Sequence, residues 1–157
     1  KQFACSLIGE LSKLCTNALV GKAQILLQVL AKHLQIVPTE QDPGNNFLIL
    51  TNNATFAISE MIVAYSNEIT QYFPELAAKF ADLLLTKAVN HLFFGLLELT
   101  TLLLLNKTLA FNIATVLGRI AVYQPKAVAP YLPTITKHWS VAMTYASTET
   151  SKLQAFK

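Results

Sequence analysis

Apolar residues recur at helical spacing along most of the chain, and the strict alternation typical of strands is nowhere sustained. The pattern therefore predicts an all-α fold. One set of helices is predicted over 2–15, 46–66 and 107–123. A second set is predicted over 22–36, 68–88 and 128–146. The segment 37–45 contains two prolines, a glycine and an asparagine, which predict a loop.

The helices of the first set are predicted to be amphipathic, because residues three and four apart share a helix face. On the first helix the polar stripe is Ser6, Glu10 and Lys13, opposite Leu7, Leu11 and Leu14. On the second it is Asn52, Phe56 and Glu60, opposite Leu50, Ala54, Ile58, Met61 and Tyr65. On the third it is Thr108, Asn112, Thr115 and Arg119, opposite Ile113, Val116 and Ile120. In 22–36 the expected core positions are Ile25, Leu26, Val29, Leu30 and Leu34.

A short pattern of apolar pair, small residue, charge and further apolar residues appears three times, with the small position at Gly9, Ser59 and Gly118. Such recurrence is typical of stacked repeats, and the intervals are longer than the roughly 40–47 residues of HEAT repeats. The loop at 37–45 and an apolar insertion at about 89–105 account for the excess. The prediction is one stretch of about three to four HEAT repeats, forming a right-handed α-solenoid of antiparallel helix pairs.

Composition narrows the functional classes. The chain has 157 residues, 53% hydrophobic and 13% charged, with a net charge of +3 that is scattered along the sequence. Scattered charge gives little reason to expect direct nucleic-acid binding. The apolar run 92–105 contains Glu98 and is shorter than the about 20 residues of a membrane span. We expect it to be buried against the repeats or a partner, or to be absent from the mature protein.

Catalytic signals are lacking in the sequence. The three histidines have no metal-ligand spacing, and no serine or cysteine lies in a nucleophile motif. We therefore predict a protein that is not an enzyme, with no catalytic residues, no metal and no cofactor. The chain starts without methionine and stops within helical periodicity, which favours a fragment of a longer protein.

Specific strings resemble those of transportins, the karyopherin-β nuclear import receptors. Residues 52–60 read Asn-Asn-Ala-Thr-Phe-Ala-Ile-Ser-Glu, where the family has Asn-Asn-Ala-Thr-Trp-Ala-Ile-Gly-Glu. Residues 3–13 resemble the family's Phe-Ala-Leu-Leu-Gly-Asp-Leu-Thr-Lys helix. Residues 117–120 and 128–130 resemble its Ile-Gly-Arg-Leu and Val-Ala-Pro segments, and 138–139 its Pro-Trp. The matches keep their order along nearly the whole chain, apart from residues 89–105.

The resemblance implies a piece of the C-terminal half of an import receptor. The first set of helices would line the concave face, which binds nuclear localisation signals of the proline-tyrosine type. Carried over residue by residue, the expected cargo contacts are Glu10, Asn52, Asn53, Phe56 and Thr115. Further candidates on the same stripes are Glu60, Asn112 and Arg119. Phe56 replaces a tryptophan and Thr115 an apolar residue of the family.

The resemblance also implies the partners. Cargo proteins would bind this region, whereas Ran-GTP, which drives cargo release, and nucleoporins would bind other parts of the full receptor. The receptor would shuttle between cytoplasm and nucleus. The alternative is a HEAT-repeat scaffold or adaptor without a transport role, which would share the helices but show no preference for nuclear localisation signals.

Overall fold

The computed structural model describes residues 1–35, 46–86 and 100–144. Within these ranges every regular element is a helix, so the predicted all-α fold class is confirmed. The α-helices are α1 (Gln2–Leu14), α2 (Ala23–Ala31), α3 (Asn46–Ile69), α4 (Phe73–Leu85), α5 (Thr100–Tyr123), α6 (Pro125–Val128) and α7 (Leu132–Thr144). Short 3₁₀ helices span Thr16–Leu19, Thr70–Tyr72 and Ala129–Tyr131.

Several helix bounds differ from the sequence prediction. Helix α5 begins at Thr100, so it includes the last residues of the predicted apolar insertion. The helix predicted over 128–146 begins later, as α7 at Leu132, and follows α6 and a 3₁₀ helix. The prolines at 125, 130 and 133 lie in the first turns of these three elements, where a missing backbone N–H is tolerated. The loop predicted at 37–45 and residues 89–99 of the insertion lie outside the described residues.

The chain forms two compact units, Lys1–Tyr72 and Phe73–Lys157. In the first unit α2 and α3 are antiparallel. The backbone N–H of Gly21, just before α2, donates to the Glu68 carboxylate near the end of α3 (3.1 Å). At the opposite end, the Thr51 hydroxyl of α3 donates to the carbonyl of His33, which follows α2 (2.9 Å). This is the helix-pair arrangement of HEAT-type repeats.

Helix α1 packs along α3 in the parallel direction. The Gln2 amide at the start of α1 donates to the carbonyl of Asn46 at the start of α3 (3.1 Å). Beyond the other end of α1, the Thr16 carbonyl accepts a hydrogen bond from the Tyr65 hydroxyl of α3 (2.6 Å). Helix α3 therefore has two neighbours in this unit, with α2 running against it and α1 running with it.

The buried side of α1 is a seam of small residues, Cys5, Gly9 and Ser12. The prediction that the leucines form its core face is wrong for Leu7 and Leu14, which are 59% and 72% exposed. The reason is steric, because helices whose facing positions are small can approach more closely than helices separated by leucines. The leucines lie on the side of α1 that faces away from α3.

Helix α2 also differs from its predicted face. Leu30 and Leu34 are buried as expected, whereas Ile25 and Val29 are exposed. Ala23 and Leu27 complete the buried side instead. Because α2 is apolar on nearly all sides, hydrophobic periodicity could not distinguish the face that contacts α3.

Helix α3 is the centre of the first unit, and its predicted core residues are buried: Leu50, Ala54, Ile58, Met61 and Tyr65. Two buried hydroxyl groups in this unit donate to the carbonyl one turn earlier. Ser12 donates to Ile8 (2.8 Å) and Thr55 to Thr51 (2.8 Å). Local bonding of this kind satisfies a buried polar group without a partner on another helix.

A break in helical geometry occurs at Tyr65, where φ is −131° and ψ is 28°. The side chain is 3% exposed and its hydroxyl reaches the Thr16 carbonyl after α1. Burial raises the pKa of the Tyr65 hydroxyl above its ordinary value, opposed by a hydrogen bond with Ser12. The kink thus coincides with the contact that joins the ends of α1 and α3.

In the second unit α4 and α5 are antiparallel, because Phe73 at the start of α4 lies near Tyr123 at the end of α5. Their ring centroids are 6.4 Å apart at an interplanar angle of 53°. Pro74 occupies the first turn of α4, as the sequence predicted. Helices α6 and α7 pack against both α4 and α5. The core of this unit includes Phe80, Leu84, Leu109, Ile113, Leu117, Ile120, Val128 and Ile135.

Replacing Tyr65 by Phe tests the contact between α1 and α3. We expect Tyr65→Phe to lower the free energy of unfolding by about 1 kcal/mol, because the hydrogen bond to Thr16 is lost. The raised pKa adds a pH dependence. Stabilisation by the neutral phenol is complete below about pH 10 and is lost as pH rises through the folded-state pKa. Denaturant unfolding of both proteins between pH 7 and 11 measures this difference.

The difference between the wild type and Tyr65→Phe should shrink above about pH 10. Tyr131→Phe, in the 3₁₀ helix before α7, is the matched control. A constant difference at all pH values, or an equal effect of the control, would contradict the role assigned to Tyr65.

Candidate functional site

A stripe of accessible side chains runs along α3 on the side away from α2. It consists of Asn52, Phe56, Glu60, Val63 and Asn67, which follow one another at three- and four-residue spacing. Val63 and Asn67 are exposed, and the other three are half-buried. The opposite side of α3, which faces α2, is fully buried and includes Thr51, Thr55, Ile58 and Ile62.

Helix α1 adds a second row of side chains beside this stripe. Gly9 lies directly against Phe56 and Ala57 of α3. Because α1 and α3 are parallel, the side of α1 nearest the Phe56 ring carries Ser6, Glu10 and Lys13. Glu10 and Lys13 are exposed and Ser6 is half-buried. The α1–α3 face is therefore formed by Ser6, Glu10, Lys13, Asn52, Phe56, Glu60, Val63 and Asn67.

The α1–α3 face combines three kinds of chemistry. Glu10 and Glu60 are carboxylates that attract basic groups, and the Asn52 amide has both donor and acceptor atoms for a peptide backbone. The half-buried Phe56 ring offers a surface for an apolar side chain or a guanidinium group. Four of the residues expected from the sequence, Glu10, Asn52, Phe56 and Glu60, are thus brought together on one face of one unit.

The two adjacent asparagines have different surroundings. The Asn53 amide donates to the Gln2 carbonyl in the first turn of α1, at 3.3 Å. Asn53 therefore holds α1 against α3, and Asn52, which is half-buried like Asn53, lies on the stripe.

The candidates of the second unit lie on α5. Thr115 is only 8% exposed, and its hydroxyl donates to the Phe111 carbonyl one turn earlier (2.9 Å). The expectation of an accessible contact at Thr115 is therefore not met, because the side chain points into the packed interior. Asn112 and Arg119, on the same predicted stripe, are half-buried.

Sequence reasoning missed two members of the α1–α3 face and the glycine that contacts the Phe56 ring. Val63 and Asn67 continue the spacing that links Asn52, Phe56 and Glu60, so extension of the same stripe could have found them. Gly9 was noted only as a recurring small residue, and its contact with the Phe56 ring is visible only in three dimensions.

Within the described ranges no group of three or more His, Cys, Asp or Glu side chains could hold a metal ion. Cys5 is buried in the α1 seam, and burial raises the pKa of its thiol. A thiol with a raised pKa is a poor nucleophile at neutral pH.

Comparison with known proteins shows one consistent relationship. The chain is similar to Transportin-1. The mouse and human proteins of that name are each 26% identical to it over 157 residues, which is 100% of this chain and 15% of theirs. Rice Transportin-1 is 26% identical over 156 residues, 99% of this chain and 15% of the relative.

The resemblance inferred from short strings is therefore confirmed along the whole chain. The chain spans about 15% of the length of the curated relatives that it matches. No protein-family model matches it, and no solved structure matches it significantly.

We expect Asn53→Ala to lower the free energy of unfolding by about 1 kcal/mol, because the bond to the Gln2 carbonyl is lost. Chemical denaturation measures the change. Asn67→Ala, at an exposed position of the same helix, is the control and should change stability by less than about 0.5 kcal/mol. Equal effects of the two substitutions would show that Asn53 does not join α1 to α3.

Proposed function

We propose that the chain is part of a transportin-type nuclear import receptor and that its α1–α3 face binds nuclear localisation signals of the proline-tyrosine type. The observation that supports the proposal most strongly is the similarity to Transportin-1 over the whole chain, together with the accessibility of Phe56 beside Glu10. The protein acts by binding and transport, without catalysis.

The chemistry of the face is suited to the basic or apolar part of such a signal. A localisation signal is an extended peptide whose backbone groups need partners, and Asn52 can supply them. Glu10 and Glu60 favour lysine and arginine side chains. Phe56, with Val63 about two turns further on, provides the apolar surface that takes an aliphatic side chain or stacks under a guanidinium.

Asn53 and Thr115 are expected to contribute little or nothing to cargo binding. Asn53 already bonds to Gln2, so its contribution to cargo binding is secondary to holding α1. Thr115 is left out of the binding surface because it is buried and its hydroxyl is occupied. Asn112 and Arg119 stay as candidate contacts on the second unit.

The remaining partners belong to the full receptor. Ran-GTP would bind elsewhere on the receptor and drive cargo release, and nucleoporins would guide passage through the pore. The receptor would accordingly shuttle between cytoplasm and nucleus. The alternative of a HEAT-repeat scaffold requires the same helices but no preference for localisation signals, and peptide binding separates the two.

Binding of a labelled basic peptide ending in proline-tyrosine, followed by fluorescence anisotropy, tests the proposal. We expect the double variant Glu10→Ala, Phe56→Ala to bind about tenfold more weakly, because it loses both an aromatic anchor and a carboxylate. Raising the salt concentration should weaken wild-type binding, since the acidic side chains are accessible to solvent.

Matched controls are available on other helices. Ile25 is 67% exposed on α2, which packs against the opposite side of α3, and Glu75 is exposed on α4. The variant Ile25→Ala, Glu75→Ala should bind with wild-type affinity. Equal binding of a scrambled peptide would favour the scaffold alternative, and an unchanged affinity of the Glu10, Phe56 variant would refute the placement of the site.

For Thr115→Val we expect unchanged peptide affinity in the same assay, because the side chain lies in the interior of its unit. Its stability should change by less than about 1 kcal/mol, since the hydroxyl bonds only to the carbonyl of its own helix. A loss of affinity above about threefold would show that Thr115 contacts the peptide after all.

A further inference from the structure

The ring of Phe56 rests on a position that has no side chain. A Cβ atom built on Gly9 would lie 2.6 Å from Cε1 and 2.7 Å from Cδ1 of Phe56, closer than real Cβ contacts allow. The next nearest atom is the Cα of Ala57, at 3.2 Å. The ring of α3 therefore occupies the space that any side chain at residue 9 of α1 would need.

The Phe56 ring and the Ala57 backbone would respond differently to a side chain at residue 9. The Ala57 Cα is backbone within α3, and at 3.2 Å it requires a shift of only a few tenths of an ångström. The Phe56 ring overlaps far more severely, but it is a half-buried side chain, which can move more easily than the backbone. A methyl group at residue 9 would therefore displace the ring more than the helices.

We infer that Gly9 is a positioning residue for Phe56, holding the ring in one orientation on the α1–α3 face. With one edge against Gly9, the ring has fewer rotamers open to it and presents a fixed surface to a ligand. Such preorganisation lowers the entropy lost on binding. The consequence for peptide binding rests on the function proposed above, whereas the geometric role of Gly9 can be measured without a ligand.

Glycine at residue 9 makes α1 less stable than alanine would, and the room that glycine leaves for the Phe56 ring offsets this cost. Glycine inside a helix is less favourable than alanine, and residue 9 lies in the middle of α1. Gly9→Ala should therefore destabilise the protein less once the ring is removed, because only the 3.2 Å contact with the Ala57 Cα then remains. In the presence of Phe56 the steric conflict should outweigh the gain, so the same substitution should lower the melting temperature.

A double-mutant cycle with Gly9→Ala and Phe56→Ala tests the coupling. In the proline-tyrosine peptide assay, Gly9→Ala should weaken binding about fivefold when Phe56 is present and less than twofold when Phe56 is already alanine. The melting temperature should fall more in the first background than in the second. Equal effects of Gly9→Ala in both backgrounds would overturn the inference.

Nuclear magnetic resonance of protein labelled with ¹³C-phenylalanine measures the chemical shift of the Phe56 ring directly. The Phe56 signal is identified by its loss in Phe56→Leu, and Gly9→Ala should shift it. Ala4→Gly, the reverse exchange at an exposed position of α1, should leave it in place. An unshifted Phe56 signal in Gly9→Ala overturns the inference.

The two proposals fail in different ways. If Gly9→Ala shifts the Phe56 signal but Phe56→Ala leaves peptide affinity unchanged, the positioning role of Gly9 is supported and the placement of the peptide site is refuted. If Phe56→Ala weakens binding but Gly9→Ala neither shifts the ring signal nor weakens binding, the site is supported and the role of Gly9 is refuted.

Discussion

The close approach of α1 to α3 is the contact on which the first unit depends. The seam of Cys5, Gly9 and Ser12 leaves room for α3, and hydrogen bonds near both ends fix the two helices in a parallel register. This register decides which side chains of α1 lie beside the Phe56 ring. A bulkier seam would separate the helices and remove the shared surface, even if every exposed side chain stayed the same.

The element types and much of the core were predictable because helical periodicity is strong throughout the chain. Helix α3 illustrates this success, since one face is apolar and that face is buried. Helices α1 and α2 show where periodicity fails. Each has more than one apolar face, and hydrophobicity alone favours leucine over glycine or serine as a core residue. Contact between α1 and α3 instead selected the small residues, leaving Leu7 and Leu14 exposed.

The candidate site was predictable only where side-chain spacing and family resemblance agreed. Glu10, Asn52 and Phe56 satisfy both criteria and lie on one face. Thr115 satisfied both criteria too, yet it is buried, because spacing identifies a side of a helix without saying whether a neighbouring helix covers it. The contact of Asn53 with α1 could not be predicted from the sequence either, because its hydrogen bond to Gln2 joins residues far apart in the chain.

The buried hydroxyl groups of Thr55 and Thr115 have a consequence for how such a sequence can diverge. Each donates to the carbonyl one turn earlier in its own helix. Ser12 differs, because its hydroxyl also has a hydrogen bond with Tyr65 of α3. Replacing either threonine by alanine or valine would leave no donor or acceptor on another helix without its partner. In the reverse replacement, the new hydroxyl would find its acceptor within its own helix. Interior positions of this kind can therefore change between polar and apolar residues one at a time. Relatives sharing only a quarter of their residues can keep the same helix contacts without coordinated change.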